Sequence, residues 1–299
     1  MREQIISYCD RYGIPEEHKN VLAALYDKIE SDGELSEKLT MARDILLAGG
    51  SDRYSLFSPV LRKIDAATGA NSYTTDLLFF ITCVDAAKKR YERLGIDLSI
   101  WRDSMSDLAV KYRECVAVYG VPGIFTEGWH CRFFHPDRFQ LGRMQYETVT
   151  WDREEQYKWL KYGDTLINMH IPGSTGQPFD RAARRDSYKR AYDFYRDLFP
   201  DGKMAICCGS WLLFEEQRKF LKGCPNILDF MDDFEIIESH RSERRGDLWR
   251  IFNTMSQNVD EFPTDTALQR SYADWLRAGN DPGGGFGLIM IEGPEFFER

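Results

Sequence analysis

The sequence predicts an α+β or α/β chain in two parts: an all-helical N-terminal domain over residues 1–124, then a domain over 125–299 whose mixed sheet is flanked by helices. Three observations carry this. Apolar residues recur at three- and four-residue spacing up to about residue 119. Beyond that point, runs of β-branched and aromatic residues alternate with helical stretches. The length of 299 residues also exceeds the roughly 100–200 that one core usually serves.

In the first part, Val21, Leu22, Leu25 and Ile29 mark one helix face, and Leu35, Leu39, Ala42, Ile45 and Leu46 mark another. Gly33, Gly49-Gly50 and Gly69 read as helix ends. Thr74-Thr75-Asp76 supplies caps for a long helix that runs to Leu94 and stops at Gly95. A further helix spans about Asp97 to Tyr119, and the turn Gly120-Val-Pro-Gly123 is the expected domain boundary. In the second part, strands are expected near Trp129–His135, Phe139–Trp151, Thr165–Ile171, Met204–Leu213, Phe234–His240 and Gly287–Glu292. Helices are expected over Asp180–Leu198, Phe214–Leu221, Gly246–Met255 and Thr266–Ala278, the first with Tyr188, Ala191, Tyr192, Phe194, Tyr195 and Leu198 on its buried face.

A net charge of −9 argues against a nucleic-acid partner, because a polyanion demands a dense basic face. The longest apolar run, Leu77 to Val84, falls short of the roughly 18 residues that a spanning helix needs. The first thirty residues hold no apolar core of the signal-peptide kind, so a cytoplasmic location with no membrane partner is expected. Seven scattered cysteines, without a C-x-x-C pair or a His at ligand spacing, read as free thiols, and no metal site is expected.

The stretch from Thr165 to Arg181 carries the most chemistry: a strand, then Gly173-Ser174-Thr175-Gly176-Gln177, then a helix capped by Asp180. Glycines let the backbone approach a ligand, hydroxyls donate, and the first helical turn offers unpaired N–H groups, which together suit a phosphate. The same pattern also describes a plain strand-to-helix turn. It lacks the Lys of a Walker loop and the G-x-G-x-x-G of a dinucleotide fold.

The segments Phe139-Gln-Leu-Gly-Arg-Met-Gln-Tyr-Glu147, Asn168-Met-His-Ile-Pro-Gly173, Ser187…Ala191…Phe194, Cys208-Gly-Ser-Trp-Leu-Leu213 and Cys224-Pro-Asn-Ile-Leu-Asp-Phe230 resemble a bacterial N-acyltransferase family. Its members pair a helical N-terminal domain with a GNAT-like C-terminal domain. The resemblance implies acetyl-CoA or another acyl-CoA as donor, a small-molecule amine as acceptor, and a donor arm admitted between two splayed strands. It also implies that Gly173, Ser174, Thr175, Gly176 and Gln177 hold the donor's phosphates. The usual pyrophosphate signature of that superfamily is absent, and Gly173 to Gly176 stands in its place.

Acyl transfer to an amine needs a base, polarisation of the carbonyl and a proton for the leaving thiolate. His170, ending its strand just before the loop, is the first candidate base. Glu147 and the pair Glu238 and His240, which alternation sets on one strand face, are second-rank bases or amine-recognition groups. Cys208 and Ser210 share a face and open a covalent alternative, an acyl hydrolase working through an acyl-enzyme. A non-catalytic module binding a phosphorylated metabolite is the other alternative. Trp211 is expected to line an acyl or acceptor pocket. Arg132, Arg138 and Arg143 are expected either to meet phosphate or carboxylate groups or to lie solvated at the surface. The basic run Arg181, Arg184, Arg185, Lys189 and Arg190 is expected to raise the potential beside the loop.

Overall fold

The computed structural model describes residues 1–50, 53–173, 176–243 and 245–298. The chain forms two compact units, one of Met1–Gln140 with Pro172–Thr175, the other of Leu141–Ile171 with Gly176–Arg299.

The first unit is helical: α1 (Arg2–Tyr12), α2 (Glu16–Glu30), α3 (Gly33–Leu47), α4 (Tyr54–Thr68), α5 (Ser72–Arg93), α6 (Leu98–Met105), α7 (Asp107–Tyr119) and the short α8 (Cys131–Phe134). Every residue of α5 from Thr74 to Val84 is buried, which explains why the apolar run Leu77–Val84 has no polar side: it is a core helix. The cap of α5 differs from expectation. Asn71 Oδ1 accepts from the Tyr73 N–H at 2.9 Å, while Asp76 lies a full turn inside, fully buried and paired with Arg62 at 2.5 Å. The single helix expected over Asp97–Tyr119 is two, divided at Ser106, whose hydroxyl bonds back to the Asp103 carbonyl at 2.6 Å.

Gly120 ends α7 at φ +66°, a left-handed position suited to glycine. The first unit nevertheless runs on past the expected boundary to Gln140. The strand expected at Trp129–His135 is instead a 3-10 turn, Glu127–His130, followed by α8. Its aromatic content mimics strand propensity, but the segment is held by tertiary contacts: the Tyr91 hydroxyl donates to the Phe133 carbonyl at 3.0 Å and His130 is buried.

The sheet has six strands, β1 (Arg138–Leu141), β2 (Met144–Thr150), β3 (Thr165–His170), β4 (Met204–Ser210), β5 (Glu235–Arg241) and β6 (Gly283–Ile291), in spatial order β1-β2-β3-β4-β6-β5, and β2 to β6 lie in the second unit. The expected strand Phe139–Trp151 is a hairpin, since Gly142 at φ +71° turns the chain between β1 and β2. β3 and β4 run parallel, whereas β2 with β3, β4 with β6, and β5 with β6 are antiparallel. The accompanying helices are α9 (Arg181–Tyr195), α10 (Gln217–Phe220), α11 (Pro225–Met231), α12 (Trp249–Phe252) and α13 (Ala267–Arg277).

α9 is capped as expected, Asp180 Oδ1 accepting from the Ala183 N–H at 2.8 Å. It buries Tyr188, Ala191, Tyr192 and Tyr195, but Leu198, expected on that face, is half exposed on the 3-10 turn that follows. The Tyr195 hydroxyl donates to the Tyr146 carbonyl at 3.1 Å, and the Tyr146 hydroxyl meets Ser187 Oγ at 2.9 Å. Tyr146 and its register partner Met169 therefore belong to the sheet face that α9 covers. The opposite face carries Leu166, Ala205, Cys207 and Leu288, packed with Trp151 and Leu160.

Candidate active site

Strand alternation decides what gathers on that opposite face. In β3, Leu166, Asn168 and His170 share it; in β2, Glu147 lies across from Asn168, and Gln145 across from His170. The diagonal contact between Glu147 and His170 then follows from the register. Glu147 Oε1 stands 2.7 Å from His170 Nε2. Asn168 Nδ2 is 3.2 Å from the same carboxylate oxygen and 3.2 Å from the same ring nitrogen. Across the parallel pair, the Cys207 thiol donates to Asn168 Oδ1 at 3.7 Å.

These contacts orient the Asn168 amide. Asn168 accepts from the thiol through its oxygen and donates to Glu147 through its nitrogen, so one amide orientation satisfies both. An ionised carboxylate at 2.7 Å pairs with the tautomer that carries its proton on His170 Nε2. Glu147 is 4% exposed and the His170 ring 22% exposed. The charge that would form when the ring takes a proton thus meets a desolvated carboxylate, while the ring itself keeps an open edge.

Among the sequence-selected residues, His170 and Glu147 are brought together; the others are not. Cys208 projects to the face opposite Cys207, is 1% exposed, and burial pushes its thiol pKa up, so it is held as an inert thiol. The Cys207 thiol is likewise pushed up to about 12, chiefly by burial. Ser210 spends its hydroxyl oxygen on the Leu212 N–H at 3.1 Å, capping the turn after β4. Glu238 and His240 lie exposed on the edge strand β5. Two strands separate β5 from β3, a distance of roughly 14 Å. Glu238 is ion-paired with Arg153, which holds its carboxyl below the usual range.

Of the expected phosphate loop, Gly173 packs so closely on α7 that a Cβ there would come within 2.6 Å of Glu114 Oε1, a carboxylate paired with Lys111 at 3.0 Å. Gly176 takes φ +79°. Gln177 follows it, and Ser174 and Thr175 lie outside the described residues. The basic run on α9 does not stand as bare positive charge. Arg181 pairs with Asp229, Arg184 with Asp229 and Asp233 at 2.7 and 2.6 Å, Lys189 with Asp193, and Arg190 with Asp186. Arg185 donates to the Phe296 carbonyl at 2.8 Å. Arg184 is fully buried, which makes it part of the core. Arg138 stacks 3.7 Å over Trp129, and Arg132 lies 3.8 Å from Asp137. Arg143 is buried over Phe179 at 5.2 Å, where desolvation draws it down to about 10.

Sequence reasoning missed Asn168 and Cys207. Asn168 had a signal: an Asn-x-His pair at strand period, set between the apolar residues Ile167 and Met169. Cys207 had none, because its relevance depends on which residue of β3 it faces. Among the described residues, no group of His, Cys, Asp and Glu is arranged to hold a metal ion. No helix among them is long and apolar enough to cross a membrane.

A mixed sheet in this order, with a central parallel pair and its polar cluster at the C-terminal end of one of the two strands, is a GNAT-like acyltransferase architecture. Residues 139–289 match the model of the GNAT-like C-terminal domain, and residues 3–135 match the N-acyltransferase N-terminal domain. The chain belongs to this acyltransferase family. The fold is also that of solved acyltransferases. A mutant acyltransferase crystallised with octanoyl-CoA aligns with a TM-score of 0.76 at 19% identity, covering 97% of this chain and 88% of that one. An acyltransferase crystallised with decanoyl-CoA and teicoplanin aligns with a TM-score of 0.63 at 19% identity, covering 96% of this chain and 99% of that one. A third, with CoA and 10C-teicoplanin, gives 0.64 at 18%, covering 96% and 99%. No curated protein matches the sequence.

Proposed function

We propose that the protein moves an acyl group from an acyl-CoA to a small-molecule amine by direct attack, with His170 as general base and Glu147 as the carboxylate that orients and charges it. The observation that carries this reading is the 2.7 Å Glu147–His170 contact at the C-terminal end of β3. The backbone supports it as well. Pairing between β3 and β4 covers Ile167↔Ile206 and Asn168↔Cys207, yet the strands continue to His170 and Ser210. On this reading an amide-bearing arm such as pantetheine adds to a strand edge at that end. The family supplies the reaction class, and the related folds hold octanoyl-CoA, decanoyl-CoA and CoA.

The amine nitrogen attacks the thioester carbon and the C–N bond forms. The amine proton passes to His170 Nδ1, the C–S bond breaks, and the departing thiolate takes that proton to leave as CoA thiol. Glu147 stabilises the transient imidazolium, Asn168 fixes the carboxylate, and the neutral Cys207 thiol fixes Asn168. The sequence segment Gly173, Ser174, Thr175, Gly176 and Gln177, which precedes α9, is the proposed seat of the donor's phosphates. An imidazole base is compatible with an amine acceptor, because an uncharged amine is needed for attack and imidazole takes a proton near neutrality. The described thiols give the acyl-enzyme alternative little support, since Cys207 and Cys208 are both held protonated.

The test is incubation with acetyl-, octanoyl- and decanoyl-CoA and a panel of primary amines, following the amide by mass spectrometry and free CoA thiol by colour. Amide and thiol in equal amounts are expected. Thiol with free fatty acid instead of amide would indicate hydrolysis, and failure of every thioester to bind or react would remove acyl-CoA as donor.

A further inference from the structure

Just past His170 the chain leaves the second unit and joins the first over Pro172–Thr175. What Gly173 meets there is α7. A Cβ on Gly173 would stand 2.6 Å from Glu114 Oε1 and 4.0 Å from Val110 Cγ1, so the carboxylate fills the space that a larger residue would need. Lys111 Nζ donates to both oxygens of the same carboxylate, at 3.1 and 3.0 Å. The ammonium is therefore one carboxylate oxygen removed from the Gly173 backbone.

Burial sets this ion pair apart from others at helical spacing. The Lys111 side chain is 7% exposed and that of Glu114 15%. On α9, by contrast, the pairs Lys189–Asp193 and Arg190–Asp186 keep all four side chains more than half exposed. A solvated pair contributes little, whereas a lysine is withdrawn from water only against a partner that compensates its charge. An ammonium carries three N–H groups, of which the carboxylate engages two. Phosphate, with more charge and more acceptor oxygens, is the stronger partner for such a group. The segment that begins at Gly173 is the proposed phosphate seat, and on the helix that follows it Arg181, Arg184, Lys189 and Arg190 are already engaged by aspartates.

We propose that Lys111 is a recognition residue for the donor's phosphates and that Glu114 is the carboxylate they displace from it. The inference rests on the acyl-CoA reading above and adds a residue of the helical unit to the donor site. Without donor, Glu114 keeps Lys111 neutralised beside Gly173. With donor, the ammonium passes from the carboxylate to the phosphates. Two opposite consequences follow. Loss of the Lys111 charge weakens donor binding, and loss of the Glu114 charge strengthens it, because that carboxylate competes for Lys111 and repels the phosphates. A pair that only staples the turn to the helix would make both losses act in the same direction.

Calorimetry with octanoyl-CoA tests this in the wild type, Lys111→Gln, Glu114→Gln and the double variant, with octanoyl-pantetheine, which lacks the phosphates, as the control. The Kd for octanoyl-CoA should rise about tenfold or more in Lys111→Gln and fall about threefold in Glu114→Gln. The Kd for octanoyl-pantetheine should change in neither. The double variant carries two uncharged side chains and should bind octanoyl-CoA more weakly than the wild type. It decides the matter if Lys111→Gln, which leaves Glu114 without its cation, does not fold. Unchanged or weaker octanoyl-CoA binding in Glu114→Gln, or wild-type binding in the double variant, overturns the role of Lys111 and leaves the transfer reading standing. If no thioester binds the wild type, the transfer reading fails, and inorganic pyrophosphate decides the anion site. Binding that strengthens in Glu114→Gln and weakens in the double variant supports it, and no binding to the wild type overturns it.

Discussion

Among the described residues, two histidines lie against a buried carboxylate, one in each unit, and they divide by what surrounds them. In the helical unit, His130 Nε2 lies 3.3 Å from Asp107 Oδ2, with the side chains 1% and 0% exposed. The ring is wedged against Phe80 and Phe133 at 5.2 and 6.4 Å. In the sheet unit, His170 and Glu147 are 2.7 Å apart and the ring keeps 22% of its surface. The carboxylate is buried in both. Of the two, the second imidazole alone keeps an exposed edge, so the same two residue types make a core contact in one place and the proposed base in the other. Access, rather than the pairing itself, distinguishes the pair proposed to be functional.

That contrast can be broken from either side. The largest effect on stability is expected from His130→Ala, which leaves Asp107 buried without its ring partner and should cost about 3 kcal/mol or more. Urea unfolding measures this, and kcat per folded molecule should not change. Glu147→Gln should lower kcat by about 10- to 100-fold, because the amide cannot compensate a protonated ring, with the unfolding midpoint shifted little. A change confined to the midpoint would make Glu147 structural, like Asp107. Asn168→Ala should have a smaller effect of the same kind, about tenfold or less in kcat, since it removes a contact to the carboxylate and not the carboxylate itself.

A weaker effect is expected from His135, whose Nε2 lies 2.6 Å from the Leu46 carbonyl. Burial holds its pKa below the ordinary value. Below about pH 6.5 the unfolded chain therefore binds more protons than the folded one. This contribution to stability is present above that pH and is lost as the pH falls through the folded value. Unfolding free energies at pH 7.5 and 5.5 should differ less in His135→Gln than in the wild type. The smallest signal concerns the thiols. The described cysteines are buried, with Cys9 and Cys83 pushed up to about 11 and Cys207 to about 12. Iodoacetamide at pH 8 should therefore label the native protein slowly and the unfolded protein fast.

Much of this arrangement was legible in the residues. Helical periodicity and glycine ends located α2, α3 and α5, and Asp180 announced the start of α9. His170 stood out because it closes a strand immediately before a glycine-rich turn. What was not legible depended on pairing. Reading Phe139–Trp151 as one strand hid the β1–β2 hairpin, and with it the register that sets Glu147 diagonal to His170. The glycines at 283–285 fell outside the expected strand Gly287–Glu292, yet they belong to β6, where the close approach of Phe214 and Leu213 demands glycine at 283 and 285. The basic run on α9 looked like a phosphate field in part because the partners of Arg181 and Arg184, Asp229 and Asp233, lie 45 to 49 residues away in sequence. Trp129–His135 read as a strand from its aromatics, whereas helical turns place His130 beside Asp107.

The central claim is that His170 is the base, and the most direct measurement is kcat for amine acylation by His170→Ala, with acyl-CoA affinity measured on the same preparation. The account predicts a fall of about 10²- to 10⁴-fold in kcat, with the donor dissociation constant and the unfolding midpoint close to wild type. A variant that acylates the amine at the wild-type rate would contradict it.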